Sequence, residues 1–258
     1  MTASLPEGTV RRRRGRTAYR LEVAETEAEL REAQRLRYEV FNQEMGEGLA
    51  SSQAEGVDRD EFDPQFRHLL VRHGESGKLV GTYRLQSSAM AAAGLGFYAE
   101  REFDLSTLPS AMRGQALEVG RACIDAAHRN SRVLFLLWRG IGEQLRRTGT
   151  RHVFGCCSLS SQHPADGWGL LETLRKSGAV ADPLRVRPHP AFELPSSSES
   201  PAIEIPRLFH LYLGIGTRVV SQPAIDREFG TIDYLVALDT ADLDERHRQL
   251  FLASPASE

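Results

Sequence analysis

Apolar residues at Ala28, Leu30, Ala33, Leu36, Val40 and Phe41 recur every three to four positions among charges. That spacing predicts an amphipathic helix over residues 25–45, preceded by a weakly alternating first strand over 19–24. Two alternating runs, 68–72 and 78–86, flank Gly74-Glu75-Ser76-Gly77 and predict a hairpin. Residues 87–96 are small and promise little core, and 97–108 reads as helix or turn. The centre of the chain is clearer. A strand over 116–124, with Gly120 at its middle, is followed by a helix over 133–149 and a second strand over 152–159. Leu134, Leu137, Ile141 and Leu145 share one face of that helix, and Gly149 ends it. A strand–helix–strand crossover places its two strands side by side and parallel. Beyond it the pattern predicts a helix over 167–178 and a long Pro- and Ser-rich irregular segment over 181–203. A short helix or strand at 206–213, late strands at 218–221 and 231–238, and a terminal helix at 242–252 complete the chain. The sum is one mixed α/β domain over 19–258 behind a tail of residues 1–18.

Charge changes this picture locally. The 258 residues carry a net charge of -3, which gives no global drive toward nucleic acid. Arg11, Arg12, Arg13, Arg14 and Arg16 make a basic knot in the tail, either solvated and disordered or available to dock something acidic. Three cysteines, Cys123, Cys156 and Cys157, form no disulfide framework and fit reduced core thiols in a reducing, cytoplasmic setting. No Cys or His spacing suggests a metal, and no apolar run is long enough to span a bilayer, so any membrane contact is expected to be peripheral.

Several routes to acyl transfer are missing. There is no G-x-S-x-G elbow, no P-loop and no dinucleotide fingerprint. His163-Pro164-Ala165-Asp166 falls one residue short of the H-x-x-x-D spacing. Direct attack of an amine on a bound thioester remains. It needs a base for the amine proton, fixed donors for the oxyanion and positive charge for the donor's phosphate. Glu118-Val119-Gly120-Arg121 can meet these needs. A regular strand puts Glu118 and Gly120 on one face and Val119 and Arg121 on the other, and a bulge at Gly120 would change that. The same residues also fit an ordinary strand edge with a surface Glu–Arg pair.

An ordered set of motifs then resembles the Gcn5-related N-acetyltransferase superfamily, in the branch of ornithine N-acyltransferases and acyl-homoserine-lactone synthases. The set is Arg37 with Phe41, Asp60 with Asp63 inside DRDEFD, Arg84 in GTYRL, and Glu118 with Arg121 in LEVGRACID. LRYEVFNQE, EFDLSTL, LFLLWRGI and the C-terminal run are similar to the ornithine side of the branch. The resemblance implies a single domain with a mixed sheet whose strands splay at the active cleft. It implies transfer of a (3-hydroxy)fatty acyl group from acyl carrier protein, or from acyl-coenzyme A, to an amino acid such as ornithine, giving a lyso-ornithine lipid. No bound cofactor or metal is expected. Glu118 is then the expected base or amine holder, and Arg121 its orienting partner or a phosphate ligand. Arg37, Phe41, Asp60, Asp63 and Arg84 become a cluster that holds the amine substrate or the first helix and its loop. Where acetyl-coenzyme A enzymes of the superfamily carry a glycine cradle, this chain reads His128-Arg129-Asn130-Ser131-Arg132-Val133-Leu134. Arg129 and Arg132 are therefore expected to meet phosphopantetheine or its acidic carrier. Phe97, Tyr98, Phe103, Leu134 and Trp138 are weaker candidates for an acyl tunnel, and His128 and His163 for proton transfer. The expected place is the cytoplasm, peripheral to the inner membrane face. Autoinducer synthesis and a silent carrier-binding module are the alternatives.

Overall fold

A threonine sets the start of the first helix. The computed structural model describes residues 19–252, so the tail expected over 1–18 lies outside the described residues. After β1 (Tyr19–Val23), the Thr26 hydroxyl accepts from the Glu29 backbone N–H while the Glu29 carboxylate accepts from the Thr26 N–H. This reciprocal cap satisfies two orphaned donors, and α1 (Glu27–Tyr38) follows, with Ala33, Gln34, Leu36 and Arg37 on its buried side. The predicted helix continues to Glu44, but residues Glu39–Glu44 widen into π-helix.

The strands form a single sheet in the order β1-β2-β3-β4-β5-β8-β6, with β7 also on β8. They are β2 (Arg67–His73), β3 (Leu79–Ser87), β4 (Ala116–Ile124), β5 (His152–Leu159), β6 (Arg218–Val219), β7 (Ala224–Asp226) and β8 (Thr231–Asp239). Of these strands only β4 and β5 pair in parallel, joined by α4 (Ser131–Thr148) as the crossover pattern requires. One face of the first half buries Leu69, Val71, Leu85 and Leu117 under Val133 and Leu137 of α4. The opposite face packs Leu70, Leu79 and Cys123 against Ala33, Leu36 and Val40 of the first helix. The last helix, α7 (Glu245–Leu252), lies so close to α4 that a Cβ at Gly142 would overlap the Phe251 carbonyl.

The remaining helices are α2 (Ser88–Ala93), α3 (Ser110–Gly114), α5 (Pro164–Lys176) and α6 (Arg207–Gly214). The small-residue stretch expected to add little core is α2, capped by the Ser87 hydroxyl, and it buries Ala91. Residues 97–108 hold two 3-10 turns, Tyr98–Arg101 and Leu105–Thr107. Their Phe97, Phe103, Leu105 and Leu108 form a core with Phe154 and Leu235. The irregular 181–203 segment is stitched down by single bridges such as Val186↔Ser221 and Glu193↔Ala224.

Two irregularities in the central strands shape the site. On β4 the register runs from Arg84↔Gly120 to Thr82↔Cys123, so Arg121 and Ala122 together oppose Tyr83. This is a bulge, and Arg121 takes φ +52°, the one non-glycine residue at positive φ among the described residues. The expected bulge therefore exists, one residue past Gly120. The second irregularity lies between β4 and β5. Their ladder stops at Glu118↔Phe154, although the strands run on to Ile124 and Leu159.

Candidate active site

The motif residues from four distant segments meet in one buried charge network. Arg37 Nε donates to Asp58 Oδ2 at 2.9 Å, and its Nη1 and Nη2 grip Asp63 at 2.7 and 3.0 Å. Arg84 Nη1 donates to both oxygens of Asp60 at 2.8 and 2.7 Å and to Asp63 Oδ1 at 2.9 Å. Arg121 lies 3.4 Å from Asp58 and 3.6 Å from Asp60. Three guanidiniums thus balance three carboxylates, with Arg37, Asp58, Asp63 and Arg84 essentially without solvent contact. Burial alone would push the Asp63 carboxyl up, but Arg37 and Arg84 outweigh it and hold the group well below the usual carboxylate range. Asp58, the first carboxylate of DRDEFD, joins the network without having been singled out by any motif.

Aromatic rings close the box. The Arg84 guanidinium sits 4.6 Å from the centroids of both Phe66 and Tyr98, and Arg121 sits 4.4 Å from Phe229. Phe41 packs edge-on against Phe229 at 5.5 Å, so it reaches the network through that ring. Cations on aromatic faces in a dry site gain more than in water. The network fastens the first helix, the acidic turn, β3 and β4 to one another.

Glu118 and Arg121 do not pair with each other, contrary to the Glu–Arg arrangement anticipated from spacing. Because the bulge reverses the alternation, Arg121 shares the face of Glu118 and turns to Asp58, Asp60 and the Tyr98 hydroxyl, 3.2 Å away. Glu118 is buried and accepts from Tyr98 N–H at 2.8 Å, Ala99 N–H at 2.7 Å and Gln86 Nε2 at 2.6 Å. It thereby anchors the first 3-10 turn to β4. Burial raises its carboxyl above the ordinary range, and the three donors only moderate that. Oε1 accepts from Ala99 alone and keeps a lone pair to spare.

Where β4 and β5 part, a small, mostly apolar cavity lies between them. Val119, Phe154, Gly155 and Cys156 line the fork, while Trp138 and Tyr212 line the end under the helices. A Cβ at Gly155 would overlap the Val119 carbonyl oxygen, so glycine permits the strands' last close approach. Beyond Glu118 the β5-facing backbone groups of β4 have no ladder partner. Of the aromatic tunnel candidates only Trp138 lines this cavity; Phe97 and Phe103 are core, and Tyr98 belongs to the arginine box.

A cluster that the motifs did not reveal joins β7, β8 and the segment after the first 3-10 turn. Glu102, Asp226 and Asp233 bring one oxygen each within 4.8 Å of one another, and all three residues are buried. Burial, then Asp233 and Asp226, push the Glu102 carboxyl well up. Asp233 rises to about 6, mostly through burial and with a further push from Asp226 that Ser158 opposes. Ionising Asp233 therefore penalises the folded state once pH exceeds the unfolded value near 3.8, and fully above 6. The melting temperature of Asp233→Asn should gain on that of the wild-type protein as pH rises through about 6, as differential scanning fluorimetry would read. A gap that stays constant from pH 4 to 8 would contradict this. Glu47, also unpredicted, accepts from the Ser160 hydroxyl and is pushed up by burial.

The basic residues before α4 are less free than expected. Arg129 is clamped by the carboxylate of Glu44 through both terminal nitrogens. Asn130 Oδ1 accepts from the N–H groups of Arg132 and Val133, occupying donors that would otherwise face a phosphate. Arg132 remains exposed. His128 bonds the Tyr19 hydroxyl at 3.1 Å, and His163 is exposed ahead of α5.

Residues 36–139 match the acetyltransferase (GNAT) domain family. The L-ornithine N(alpha)-acyltransferase of Brucella abortus is 32% identical over 240 residues, which span 87% of this chain and 85% of that protein. The protein of the same description from Rhodobacter capsulatus is 29% identical over 247 residues, or 91% and 95% of the two chains. A solved CoA-dependent acyl-homoserine lactone synthase, MesI, superposes with a TM-score of 0.51 at 15% identity, covering 92% of this chain and 97% of that one. At that identity the likeness is one of fold.

Proposed function

Because the chain belongs to the L-ornithine N(alpha)-acyltransferase family, we propose that it transfers a fatty acyl group from a thioester donor to the α-amine of ornithine. The observation that carries this reading is the fork. Its apolar lining suits a hydrocarbon chain, and the thioester carbonyl would rest where β4 loses its ladder partner. Unpartnered N–H groups there supply oxyanion donors fixed in advance, which is worth more in a dry site than in water. Glu118 accepts the amine proton through the free lone pair of Oε1, directly or by way of one water, and its raised carboxyl can keep that proton. The charge network holds β4, the acidic turn and the first helix in the geometry this requires.

The donor is an acyl carrier protein loaded with a 3-hydroxyacyl chain, approached by way of the exposed Arg132 and the basic tail. The product is then a lyso-ornithine lipid. Leu208 and Leu211, exposed one turn apart on α6, give a peripheral membrane contact beside Tyr212 of the cavity. Among the described residues no helix is long and apolar enough to cross a membrane.

Purified protein incubated with 3-hydroxyacyl carrier protein or the matching acyl-coenzyme A, plus L-ornithine, should yield N-acylornithine by mass spectrometry. The carrier-protein rate should fall steeply with salt. No amide from either donor would refute the reading, and a salt-insensitive rate would remove electrostatic docking from it.

A further inference from the structure

The fork cavity is mostly apolar, yet several polar atoms on its wall lack partners. Tyr83 of β3 and Tyr212 of α6 both line it, and their hydroxyls bond to each other at 2.8 Å. Two hydroxyls carry two protons, and the mutual bond uses one of them. The second O–H has no acceptor among the described residues. Trp138, whose ring lies 6.2 Å from that of Tyr212, also lines the cavity. Its Nε1–H, which can only donate, is buried without a partner among the described residues, and so is the Thr217 hydroxyl of the same cavity. Buried polar atoms left in this way call for an explanation, and an occupant with a polar atom supplies one. Burial pushes both phenols far above their ordinary range, so they stay protonated donors at every working pH. The pair stands where an acyl chain would begin. Tyr83 and Val119 pack on the same face of the sheet, under α4. Val119 is the first residue of β4 past the ladder and lines the cavity, as does Cys157 on the parted stretch of β5. Tyr212 packs with both halves of the sheet, so the hydroxyl bond joins them across the fork.

We propose that Tyr83, Tyr212 and Trp138 are the subsite that recognises the hydroxyl of a 3-hydroxyacyl donor and selects it over an unsubstituted chain. This deepens the functional reading above and rests on it. A hydroxyl on the third carbon follows the thioester carbonyl by two bonds, so it enters the cavity with the first methylenes. It accepts from the indole N–H or the spare phenol proton, and it donates to a phenol oxygen. An unsubstituted chain presents only C–H at that place. It strips any water from these donors and returns nothing, and a site built to bond a hydroxyl rejects the analogue that lacks one.

The test is the acylation assay with the full-length protein, L-ornithine and donors of equal chain length on the same carrier, protein or coenzyme A. The donors are the (3R)-hydroxyacyl, (3S)-hydroxyacyl and unsubstituted thioesters. Wild-type kcat/KM should favour one hydroxyacyl donor over the unsubstituted one at least about tenfold. The two hands should differ at least about fivefold, because fixed donors and acceptors meet only one of them. Tyr83→Phe and Tyr212→Phe each delete one oxygen and keep the ring, so both proteins should fold. Each should cut the preference at least about fivefold, the hydroxylated donor losing more than the plain one. Equal rates for hydroxylated and unsubstituted donors in the wild-type protein, or variants that keep the wild-type ratio, would overturn the subsite. So would variants that lose both donors alike, as a merely structural role requires. Should a variant not fold, the comparison of the two hands in wild-type protein still decides. Amide from every donor without discrimination sinks the subsite alone, whereas no amide from any donor sinks the proposed reaction and the subsite with it.

Discussion

Arg37→Met is expected to lower the free energy of unfolding by about 3–5 kcal/mol, because it strands Asp58 and Asp63 in a dry site. Arg37 makes four hydrogen bonds to these two residues, including one to the Asp58 carbonyl. Methionine fills similar volume, so the loss reports on charge rather than on a cavity. The remaining arginines cannot compensate fully. Arg84 already serves Asp60 and Asp63, and Arg121 stands 3.4 Å from Asp58 without a bond to it. Urea unfolding at neutral pH measures the effect, and a loss under about 1 kcal/mol would mean that the network is not desolvated as its burial indicates. The sign with pH also follows. Asp63 is held low in the folded protein, so its share of stability is present above the unfolded value of 3.8 and is lost as pH falls below it. Wild-type protein should lose stability in acid more steeply than Arg37→Met.

The second large effect concerns turnover. Glu118→Gln should reduce kcat about 10²–10⁴-fold at saturating ornithine if its carboxylate takes the amine proton. Glutamine also places an NH₂ where Tyr98, Ala99 or Gln86 already presents a donor. That conflict costs about 1–3 kcal/mol of stability, so rate alone cannot separate the base from a positioning residue. The pH profile can. Wild-type kcat should rise with pH through a carboxyl held above the ordinary range by burial, and that acid limb should vanish in Glu118→Gln. A variant that is slow yet keeps the limb would reassign Glu118 to holding the Tyr98–Arg101 turn.

Much of the scaffold could be read from periodicity alone. The two central strands and their crossover helix stand where the alternation and the apolar face of Leu137 and Leu145 put them. The charge network was legible through resemblance, since its motifs keep their order along the chain. Asp58 sat within the quoted acidic run but carried no distinguishing mark. The bulge was misplaced by one residue for a physical reason. Positive φ is advertised by glycine, whereas here Arg121 adopts it and is held there by Asp58, Asp60 and two rings. The buried cluster of Glu102, Asp226 and Asp233 had no local signal at all. Glu102 lies in a polar stretch, Asp226 in a turn, and Asp233 in a strand where an acid among apolar neighbours looks like a solvent face. Only the pairing of β7 and β8 and the fold of the 97–108 segment bring them together.

The parting of β4 from β5 leaves the two halves of the sheet sharing three paired positions, Ala116 to Glu118 with His152 to Phe154. Elsewhere the leaves are kept together by oily side chains beneath α4 and α7. On the proposed reading, a hydrocarbon tail lying between them would break no backbone hydrogen bond, so its grip would accumulate carbon by carbon, at about 0.8 kcal/mol for each methylene enclosed. On that reading, a preference for longer chains would follow from this fork, up to the point where Trp138 and Phe251 meet ring to ring.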